Sequence, residues 1–394
     1  MRILQVHNRY RVAGGEDEVV ERERALLVRG GQQVTQVLVD NPTGALASAR
    51  ALAQSAWNVR AARRVVAQAR RDRADVVHVH NTWFSLSPSV VHALSQAGFP
   101  VVMTLHNFRT TCLNGLLLRE GRTCTLCVGT HPGPGIRHRC YRDSAMLSAA
   151  AAAAVEMPRL RHVWQKDVAA FLVLDESAVP LLASGGIPQD RMVVRRNSSA
   201  DPGPRANAPS RSDEVLYAGR LSEEKGVDVL LEAWPRLRQQ GLTLLLCGDG
   251  PLLDQVVRAQ VPGVRVLGRV DRATVQESML SARALVFPSI CHEAGPLAPI
   301  EAAAAGLPTI ISSSVGVSRR LERSGAGWSV APGDAADLAG ALGRLADAAA
   351  VDDAGRAARL LYEEAHTDAV ATASLIDVYQ AAISGGIGRP TAER

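Results

Sequence analysis

The sequence predicts an α/β fold built from two doubly wound parallel sheets. Apolar, strand-like segments alternate with helical stretches through the first half of the chain. A segment rich in Pro, Ser and Asn interrupts this alternation at 197–214, and the alternation then starts again. With 394 residues the chain is too long for one core, because single cores rarely exceed ~250–300 residues. We therefore expect a cleft between two domains, with ligands at the carboxyl ends of the strands.

Ten short apolar segments are predicted as buried strands. Those of the first half are 1–7, 32–40, 74–81, 100–107 and 169–176, and those of the second half are 214–220, 242–248, 264–270, 284–289 and 308–314. The predicted domains are 1–196, with a cysteine-rich insertion at 108–142, and 214–365, joined by a linker at 197–213. No strand follows the helical segment within 366–394, so we expect that segment to pack back on the first domain.

The charge of the chain is unevenly distributed. Residues 1–200 carry a formal charge of +10, and the remainder carries −5. Much of the excess lies in one predicted helix, Arg50–Arg73, where Leu52, Trp57, Val65 and Val66 stand among the arginines. A solvated outer face is one interpretation, and contact with an anionic membrane surface or an anionic acceptor is another. Nucleic acid is disfavoured, because no ladder of aromatic residues accompanies the charge.

The sequence predicts a cytoplasmic protein. Its start, MRILQVH, lacks the apolar core and cleavage site of a signal peptide. The alanine-rich run at 144–157 is far too short to span a membrane. If the basic helix contacts an anionic membrane surface and is not simply solvated, the protein would be peripheral at the inner membrane face. The dominance of arginine and alanine is typical of a GC-rich bacterial genome.

The stretch HEAGPLAPIEAAAAGLP, 292–308, predicts an anion site at the start of a helix. Glu293 precedes a Gly295-Pro296 corner, and Glu301 falls on the second turn of the helix that follows. The first turn of a helix exposes unpaired N–H groups and a partial positive charge. Since proline lacks an N–H, the expected donors are Gly295, Leu297 and Ala298. A helix start with a favourable early glutamate and no ligand is the alternative.

Other strand ends carry candidate phosphate-binding residues. Gly14 and Gly15 follow the first strand, in an order that is not a dinucleotide-binding fingerprint. In AGRLSEEKG, Arg220 and Lys225 can neutralise a diphosphate and support it as a leaving group. Lys225 is one of only two lysines, beside 42 arginines. Plain turns or a surface ion pair are the alternatives.

Two further turns could contact a nucleotide. Gly248 lies in the CGDGP turn, where the backbone can approach a ligand closely, although a simple strand-ending turn explains it nearly as well. Arg269 and Val270 end the VLGRV segment, where they could meet a base.

Taken together, AGRLSEEKG, LLLCGDGP, VLGRV and HEAGPLAPIEAAAAGLP resemble the retaining glycosyltransferases of family 4, in that family's order and spacing. The resemblance covers nearly the whole chain and is strongest over 215–330. It implies a GT-B fold, with two Rossmann-like domains and a cleft between them. The first domain would bind the acceptor and the second a nucleotide-sugar donor, with UDP as the default nucleotide and GDP next.

The resemblance also implies roles for individual residues. Arg220 and Lys225 would hold the donor diphosphate, while Glu293 would contact hydroxyls of the transferred sugar. The backbone from Gly295 through Pro296 to Leu297 would face the phosphate. The remaining donor contacts would be Glu301 on the ribose, Gly14 and Gly15 on the diphosphate, Gly248, Arg269 and Val270 near the nucleotide, His106 beside the sugar, and Arg196 at the hinge.

Two positions depart from the family pattern. The family often has Asn-Gly-Val-Asp before the linker, where this chain offers only Arg196 and Asn197. His106 is followed by Asn107, where many members carry aspartate. These differences concern the hinge and the acceptor side more than the donor site.

Four of the six cysteines lie close together in the predicted insertion. Cys112, Cys124, Cys127 and Cys140 are spaced C-x11-C-x2-C-x12-C, which suits a structural zinc ion, with His131 and His138 as substitute ligands. Unligated thiols, or a redox or iron–sulfur role, are the alternatives. Disulfides are not expected in a cytoplasmic protein. Cys247 and Cys291 are predicted as small apolar core residues.

The function expected from the resemblance is sugar transfer from a nucleotide-sugar with retention of anomeric configuration, by front-face transfer and without a catalytic metal. The acceptor would be a saccharide, a lipid-linked saccharide or a small molecule. An epimerase or hydrolase on the same scaffold is an alternative, and a non-catalytic nucleotide-binding protein is another. An epimerase or hydrolase would need acid/base residues of its own, and its products would not change when an acceptor is added.

Overall fold

The computed structural model describes residues 1–10 and 14–387. The chain divides into two compact units. The first contains Met1–Leu117, Thr125–Arg195 and the described residues from Thr372 onward, and the second contains Leu118–Cys124 and Arg196–Ala371. The segment predicted as a linker, 197–213, thus belongs to the second unit. There Ser210 bonds Asp352, and the Arg205 guanidinium donates to the carbonyl oxygens of Met279, Ala282 and Ala305.

The first half of the chain contains eight strands among its described residues. They are β1 (Arg2–Arg9), β2 (Gln33–Asp40), β3 (Val76–Asn81), β4 (Val101–Leu105), β5 (Leu118–Arg119), β6 (Arg122–Thr123), β7 (Ala170–Val173) and β8 (Met192–Val194). The helices are α1 (Gly15–Arg29), α2 (Ala45–Gln54), α3 (Val59–Arg71), α4 (Ser89–Gln96), α5 (Gly133–Arg137), α6 (Ala145–Leu160), α7 (Val163–Lys166) and α8 (Ala178–Ser184). β5 and β6 pair as a small antiparallel hairpin.

The second half repeats the alternation. Its strands are β9 (Glu214–Ala218), β10 (Thr243–Cys247), β11 (Val264–Gly268), β12 (Ala284–Phe287), β13 (Thr309–Ser312) and β14 (Gly327–Val330). Its helices are α9 (Val227–Ala233), α10 (Leu253–Ala259), α11 (Arg272–Ser281), α12 (Leu297–Ala304), α13 (Ser318–Arg323), α14 (Ala335–Gly343), α15 (Ala348–Ala365) and α16 (Asp368–Ile383). The ten predicted strands are all present, which confirms the predicted fold class.

Both six-stranded sheets are parallel and doubly wound. The first has the order β2-β1-β3-β4-β7-β8 and the second β11-β10-β9-β12-β13-β14. The direction of winding reverses between β1 and β3 in the first sheet and between β9 and β12 in the second. At such a switch point the loops that leave two neighbouring strands turn to opposite faces, which opens a crevice at the carboxyl ends of the strands.

The predicted basic helix Arg50–Arg73 is wrong as a single element. The structure contains α2 and α3, separated by a break at Ser55–Asn58. Asn58 accepts a hydrogen bond from the Ala61 amide as the N-cap of α3, and its own amide donates to Ser87 and Ser89. These bonds favour a new helix start over a continuous helix. Among the described residues, no helix combines the length and the hydropathy of a membrane span.

The last helix, α16, contributes to the core of the first unit. Leu375, Val378 and Tyr379 pack with the buried face of the first sheet, which includes Ile3 and Val76. The fully buried Tyr379 hydroxyl bonds His78 Nδ1 at 2.7 Å, so the helix carries a polar partner for a buried histidine. Residues 388–394 of the predicted C-terminal segment lie outside the described residues.

We predict that Tyr379→Phe lowers the free energy of unfolding by about 1–3 kcal/mol. The substitution keeps the ring but leaves His78 Nδ1 buried without its partner, which costs roughly this much. Urea denaturation of the full chain measures the change. Ile383→Ala, at an exposed position on the same helix, should stay within about 0.5 kcal/mol of the wild type. Equal stability of Tyr379→Phe and the wild type would show that the hydroxyl is not needed there.

Candidate functional site

Two predicted site residues, Lys225 and Glu293, come from the strands that flank the switch point of the second sheet. Lys225 follows β9 and Glu293 follows β12, and Lys225 Nζ lies 2.6 Å from Glu293 Oε2. Burial opposes the charge on Lys225, but the attraction and hydrogen bond of Glu293, together with Cys291 and Glu224, outweigh it, so the pKa of Lys225 is raised. A lysine and a glutamate 68 residues apart in sequence therefore form one charged pair.

The turn that carries Lys225 is held in place by a glycine. Gly226 has a φ of +69°, and a Cβ there would lie 2.1 Å from the carbonyl oxygen of Pro288, just after β12. Only glycine accommodates both the conformation and this close approach. The turn therefore lies directly against the end of β12, where it presents Lys225 to Glu293.

The second carboxylate oxygen of Glu293 points to a ligand. The Glu293 side chain is only 14% exposed. Its Oε1 is buried and has no hydrogen-bond partner within the described residues. Burying a charged oxygen without a partner costs free energy, so such an atom indicates a position for a donor that a ligand would bring. A sugar hydroxyl is a donor of the right kind.

Helix α12 starts beside this pair. Pro296 is its N-cap, and Leu297 is its first helical residue, which gives the helix the start that the sequence predicts. Asn197 Nδ2 donates to the Gly295 carbonyl oxygen at 2.7 Å, so the corner before the helix is braced by the segment that follows β8. The amides of Leu297 and Ala298 are in the first turn, where a helix has no internal partners for its N–H groups.

Glu301 lies on the second turn of α12, as predicted. Its Oε1 accepts a hydrogen bond from Arg272 at 3.2 Å. Arg272 is more than half exposed, and ion pairs of this kind contribute about 0–1 kcal/mol. A ligand hydroxyl can therefore replace Arg272 on Glu301 at little cost.

The other predicted donor residues lie at strand ends of the second unit. Arg220 is exposed, and its carbonyl oxygen accepts from Tyr217 at 2.6 Å. Arg269 is exposed, whereas Val270 packs against the core. A Cβ on Gly248 would lie 1.8 Å from the Gly219 carbonyl oxygen, so backbone packing alone requires that glycine. Arg196 is half-buried at the start of this unit.

The predicted glycine pair lies at the start of α1 in the first unit. Gly14 is the N-cap, and a Cβ on it would meet no atom within 4 Å, which leaves the backbone open. Asp17 accepts from the Gly14 amide at 3.0 Å and lies 2.8 Å from His7 Nε2. The turn is thus fixed by a carboxylate, while its outer side is uncovered by the described residues.

His106 follows β4, and its Nε2 lies 3.2 Å from His80 Nδ1, with the two rings stacked. Burial, with further lowering from His7 and Arg195, reduces the pKa of His106 to about 3. The imidazole is therefore neutral at physiological pH. It acts as a hydrogen-bonding group and not as a cation.

Behind His106 lies a buried polar network that the sequence reading missed. Glu23 pairs with Arg195, and its Oε2 lies 3.5 Å from His80 Nε2 and 3.8 Å from His78 Nδ1. The only signal in the sequence was VVHVH, where His78 and His80 are two residues apart and therefore lie on the same face of the strand. Glu23, His78 and His80 are close enough to hold a metal ion. The Arg195 guanidinium already compensates Glu23, and His78 uses both ring nitrogens on Tyr379 and Thr104, so a metal ion does not fit this network.

The cysteines predicted as zinc ligands are divided between the two compact units, with Cys124 in the second and the other three in the first. All six cysteines are free of disulfides, and Cys247 and Cys291 are buried as expected. Cys112 Sγ donates to Asn114 Oδ1 at 3.0 Å. Within the described residues of the first unit, the sulfurs of Cys112, Cys127 and Cys140 do not lie within 4.8 Å of one another as a set. Zinc binding, with Cys124 included, stays a prediction.

Residues 212–348 match the family model for glycosyl transferases group 1. Among curated proteins, the chain is 39% identical over 181 residues to a glycogen synthase of Mycobacterium tuberculosis, covering 44% of this chain and 43% of that protein. It is 37% identical over 145 residues to a phosphatidyl-myo-inositol mannosyltransferase of Mycobacterium leprae, covering 35% and 38%. The matched part spans less than half the length of these relatives.

Solved structures are similar over nearly the whole chain. HepE of Anabaena in complex with UDP aligns with a TM-score of 0.68 at 16% identity, covering 97% of this chain and 100% of that one. A sucrose-phosphate synthase from Thermosynechococcus elongatus aligns with a TM-score of 0.72 at 16% identity, covering 98% and 99%. At this identity the likeness shows the fold. The chain has the GT-B fold, and its residues 212–348 form a domain of the group 1 glycosyl transferases.

Proposed function

We propose that this protein transfers a sugar from a nucleoside diphosphate sugar, with UDP as the nucleotide, to an acceptor hydroxyl with retention of configuration. The observation that carries the proposal is the half-buried Lys225–Glu293 pair beside the start of α12, with Glu293 Oε1 lacking a partner among the described residues. The group 1 domain match and the HepE structures with UDP and with UDP-glucose support the donor class.

In this proposal, different site residues of the second unit bind different parts of the donor. Lys225 and Arg220 bind the diphosphate together with the amides at the start of α12, while Glu301 binds the ribose hydroxyls. Arg269 and Val270 lie where the base would be, and Glu293 Oε1 accepts from a hydroxyl of the sugar. Because Glu293 also holds Lys225, it links recognition of the sugar to the cation that meets the leaving group.

The proposed reaction takes place on one face of the sugar. The bond between the anomeric carbon and the phosphate oxygen breaks as the acceptor oxygen forms its bond to the same carbon. The departing phosphate takes the acceptor proton, so no side chain has to act as a covalent nucleophile. Lys225, Arg220 and the start of α12 compensate the charge that grows on the UDP, and this stabilises the transition state more than the ground state. These groups supply that charge without a divalent metal.

In the first unit, Gly14 and Gly15 offer open backbone to the diphosphate, and the neutral His106 offers a hydrogen bond to the sugar. The acceptor is a saccharide, a lipid-linked saccharide or a small molecule. An epimerase or hydrolase would give the same products with and without the acceptor, whereas a transferase gives a new product only when the acceptor is present.

We predict that Glu301→Gln weakens UDP binding about tenfold or more, because it removes charged hydrogen bonds to the ribose. Calorimetric titration with UDP, GDP, ADP and dTDP measures the affinities, and UDP should bind best to the wild type. Glu277→Gln, an exposed position on α11, is the matched control. If no nucleotide binds the wild type, or if Glu301→Gln binds UDP as well as the wild type, the proposed position of the donor site is wrong. A non-catalytic function would then be favoured.

Lys225→Met should lower the rate of UDP release from UDP-glucose by about 10²–10³-fold, since it removes a cation that faces the leaving group. Lys225→Arg keeps the charge and should recover part of the rate. Lys166→Met changes the only other lysine of the chain, which is exposed in the first unit, and should leave the rate unchanged.

If Lys225→Met and Lys166→Met release UDP at the same rate, Lys225 takes no part in the reaction. The anomeric configuration of the wild-type product, read from its proton coupling constant, tests front-face transfer. Inversion relative to the donor would exclude it.

We also propose peripheral contact of α3 with anionic membrane. This helix buries Ala62, Val65 and Ala69 and turns most of its arginines outward. Vesicles with anionic lipid should sediment the protein at low salt and release it as salt rises, because surface charges are screened within about 10 Å at 0.1 M salt. Arg63→Gln with Arg64→Gln should weaken this binding. An absence of binding at low salt would leave α3 as a solvated face.

A further inference from the structure

The carboxyl ends of β1, β3 and β4 surround two adjoining cavities in the first unit. Both cavities are lined by Trp83 and Arg109. The second also contains Tyr10, Tyr141 and Arg142 in its lining. Neither lining includes an aspartate or glutamate among the described residues. The surface therefore combines aromatic faces with two cations.

The Arg109 guanidinium lies against two aromatic rings, Trp83 and Tyr141, which contact each other edge to face. Its carbon Cζ lies 5.2 Å from the Trp83 ring centre and 5.9 Å from that of Tyr141. One terminal nitrogen donates to the Leu113 carbonyl oxygen at 3.3 Å. A Cβ on Gly115 would lie 2.8 Å from the Arg109 side chain, so the glycine makes room for the stem of the arginine. A side chain fixed in this way is pre-organised for a ligand.

Part of the Arg109 donor capacity is unused by the described residues. Its Nε is buried and has no hydrogen-bond partner there. Glu16 interacts electrostatically with this charge, and burial raises the pKa of its carboxyl to about 8 despite the lowering by Tyr10 and Arg109. The Glu16 carboxyl is therefore largely protonated at neutral pH. It leaves the positive charge of Arg109 only partly compensated.

A second cation borders the same cavity. Arg142 is exposed, and its Cζ lies 5.6 Å from the Tyr141 ring centre, on a ring that Arg109 also contacts. The Tyr141 side chain is itself buried and packs with Leu113 and α6, so the position of the ring that both arginines contact is fixed by the core. Both arginines line the same cavity, and guanidinium binds carboxylate and phosphate through paired hydrogen bonds, so an oxyanion in this cavity has two candidate ligands.

We propose that these cavities bind an acceptor sugar that carries an anionic group, with the sugar ring against Trp83 and its phosphate or carboxylate on Arg109 and Arg142. The inference rests on the proposed transferase function, for which it names the class of acceptor. A neutral sugar would leave both guanidinium groups without a counter-charge. An inorganic anion alone would not use the aromatic face.

Calorimetric titration of the full chain in saturating UDP tests the site, because UDP occupies the anion site of the second unit. The probes are glucose 6-phosphate, glucuronate, glucose and inorganic phosphate. At least one anionic sugar should bind about tenfold or more tightly than both glucose and inorganic phosphate. A preference for glucose 6-phosphate or for glucuronate tells whether the anion is phosphate or carboxylate.

Arg142→Gln should weaken binding of the anionic sugar about tenfold, and Arg109→Gln should weaken it further. Arg139→Gln is the matched control, an exposed arginine nearby that lines neither cavity. Because Arg142 is exposed, its replacement does not threaten the fold, and UDP binding reports on the integrity of each variant.

The inference is overturned if glucose or inorganic phosphate binds as tightly as both anionic sugars, or if Arg142→Gln and Arg139→Gln bind them equally. UDP binding without any binding of anionic sugar refutes the acceptor site alone. If UDP itself fails to bind, the proposed function fails first, and the two failures are thereby distinguished.

Discussion

Both halves of this chain depend on one constraint, the reversal of winding in a parallel sheet. Parallel strands end on the same edge, and the loops at the reversal turn away to opposite faces. In the second sheet, Lys225 follows β9 and Glu293 follows β12, and the two side chains meet at this gap. The same geometry in the first sheet brings the ends of β1, β3 and β4 around Trp83 and Arg109. Neither cluster is local in sequence, because β9 and β12 begin at Glu214 and Ala284, and β1, β3 and β4 begin at Arg2, Val76 and Val101.

The two clusters handle charge in different ways. In the second unit a lysine and a glutamate compensate each other, and only one carboxylate oxygen is left over. In the first unit burial keeps the proton on Glu16, so the charge of the neighbouring Arg109 is only partly compensated. Deeper in the same unit, Glu23 and Arg195 are fully buried and pair with each other, which avoids the cost of an isolated buried charge. Their neighbours His78 and His80 have lowered pKa values through burial and stay neutral.

Much of the fold could be predicted because buried parallel strands are continuous apolar runs. The ten predicted segments are strands, and Pro296 begins α12 as expected. β8, β14 and the β5–β6 hairpin escaped prediction, since they are two to four residues long and carry little periodicity. The division of the basic segment into α2 and α3 was also missed. It depends on Ser87 and Ser89 bonding to Asn58, which no local pattern reveals.

For the candidate site, the residues at strand ends could be identified from the sequence, because glycine turns, a rare lysine and a proline-started helix are local features. Which of these residues meet could be read only from the three-dimensional fold. It placed Lys225 on Glu293, explained Gly248 by backbone packing and put Arg109 against Trp83 and Tyr141. The physical reason is that pairing, burial and pKa depend on neighbours distant along the chain, and those neighbours exist only once the sheets have formed.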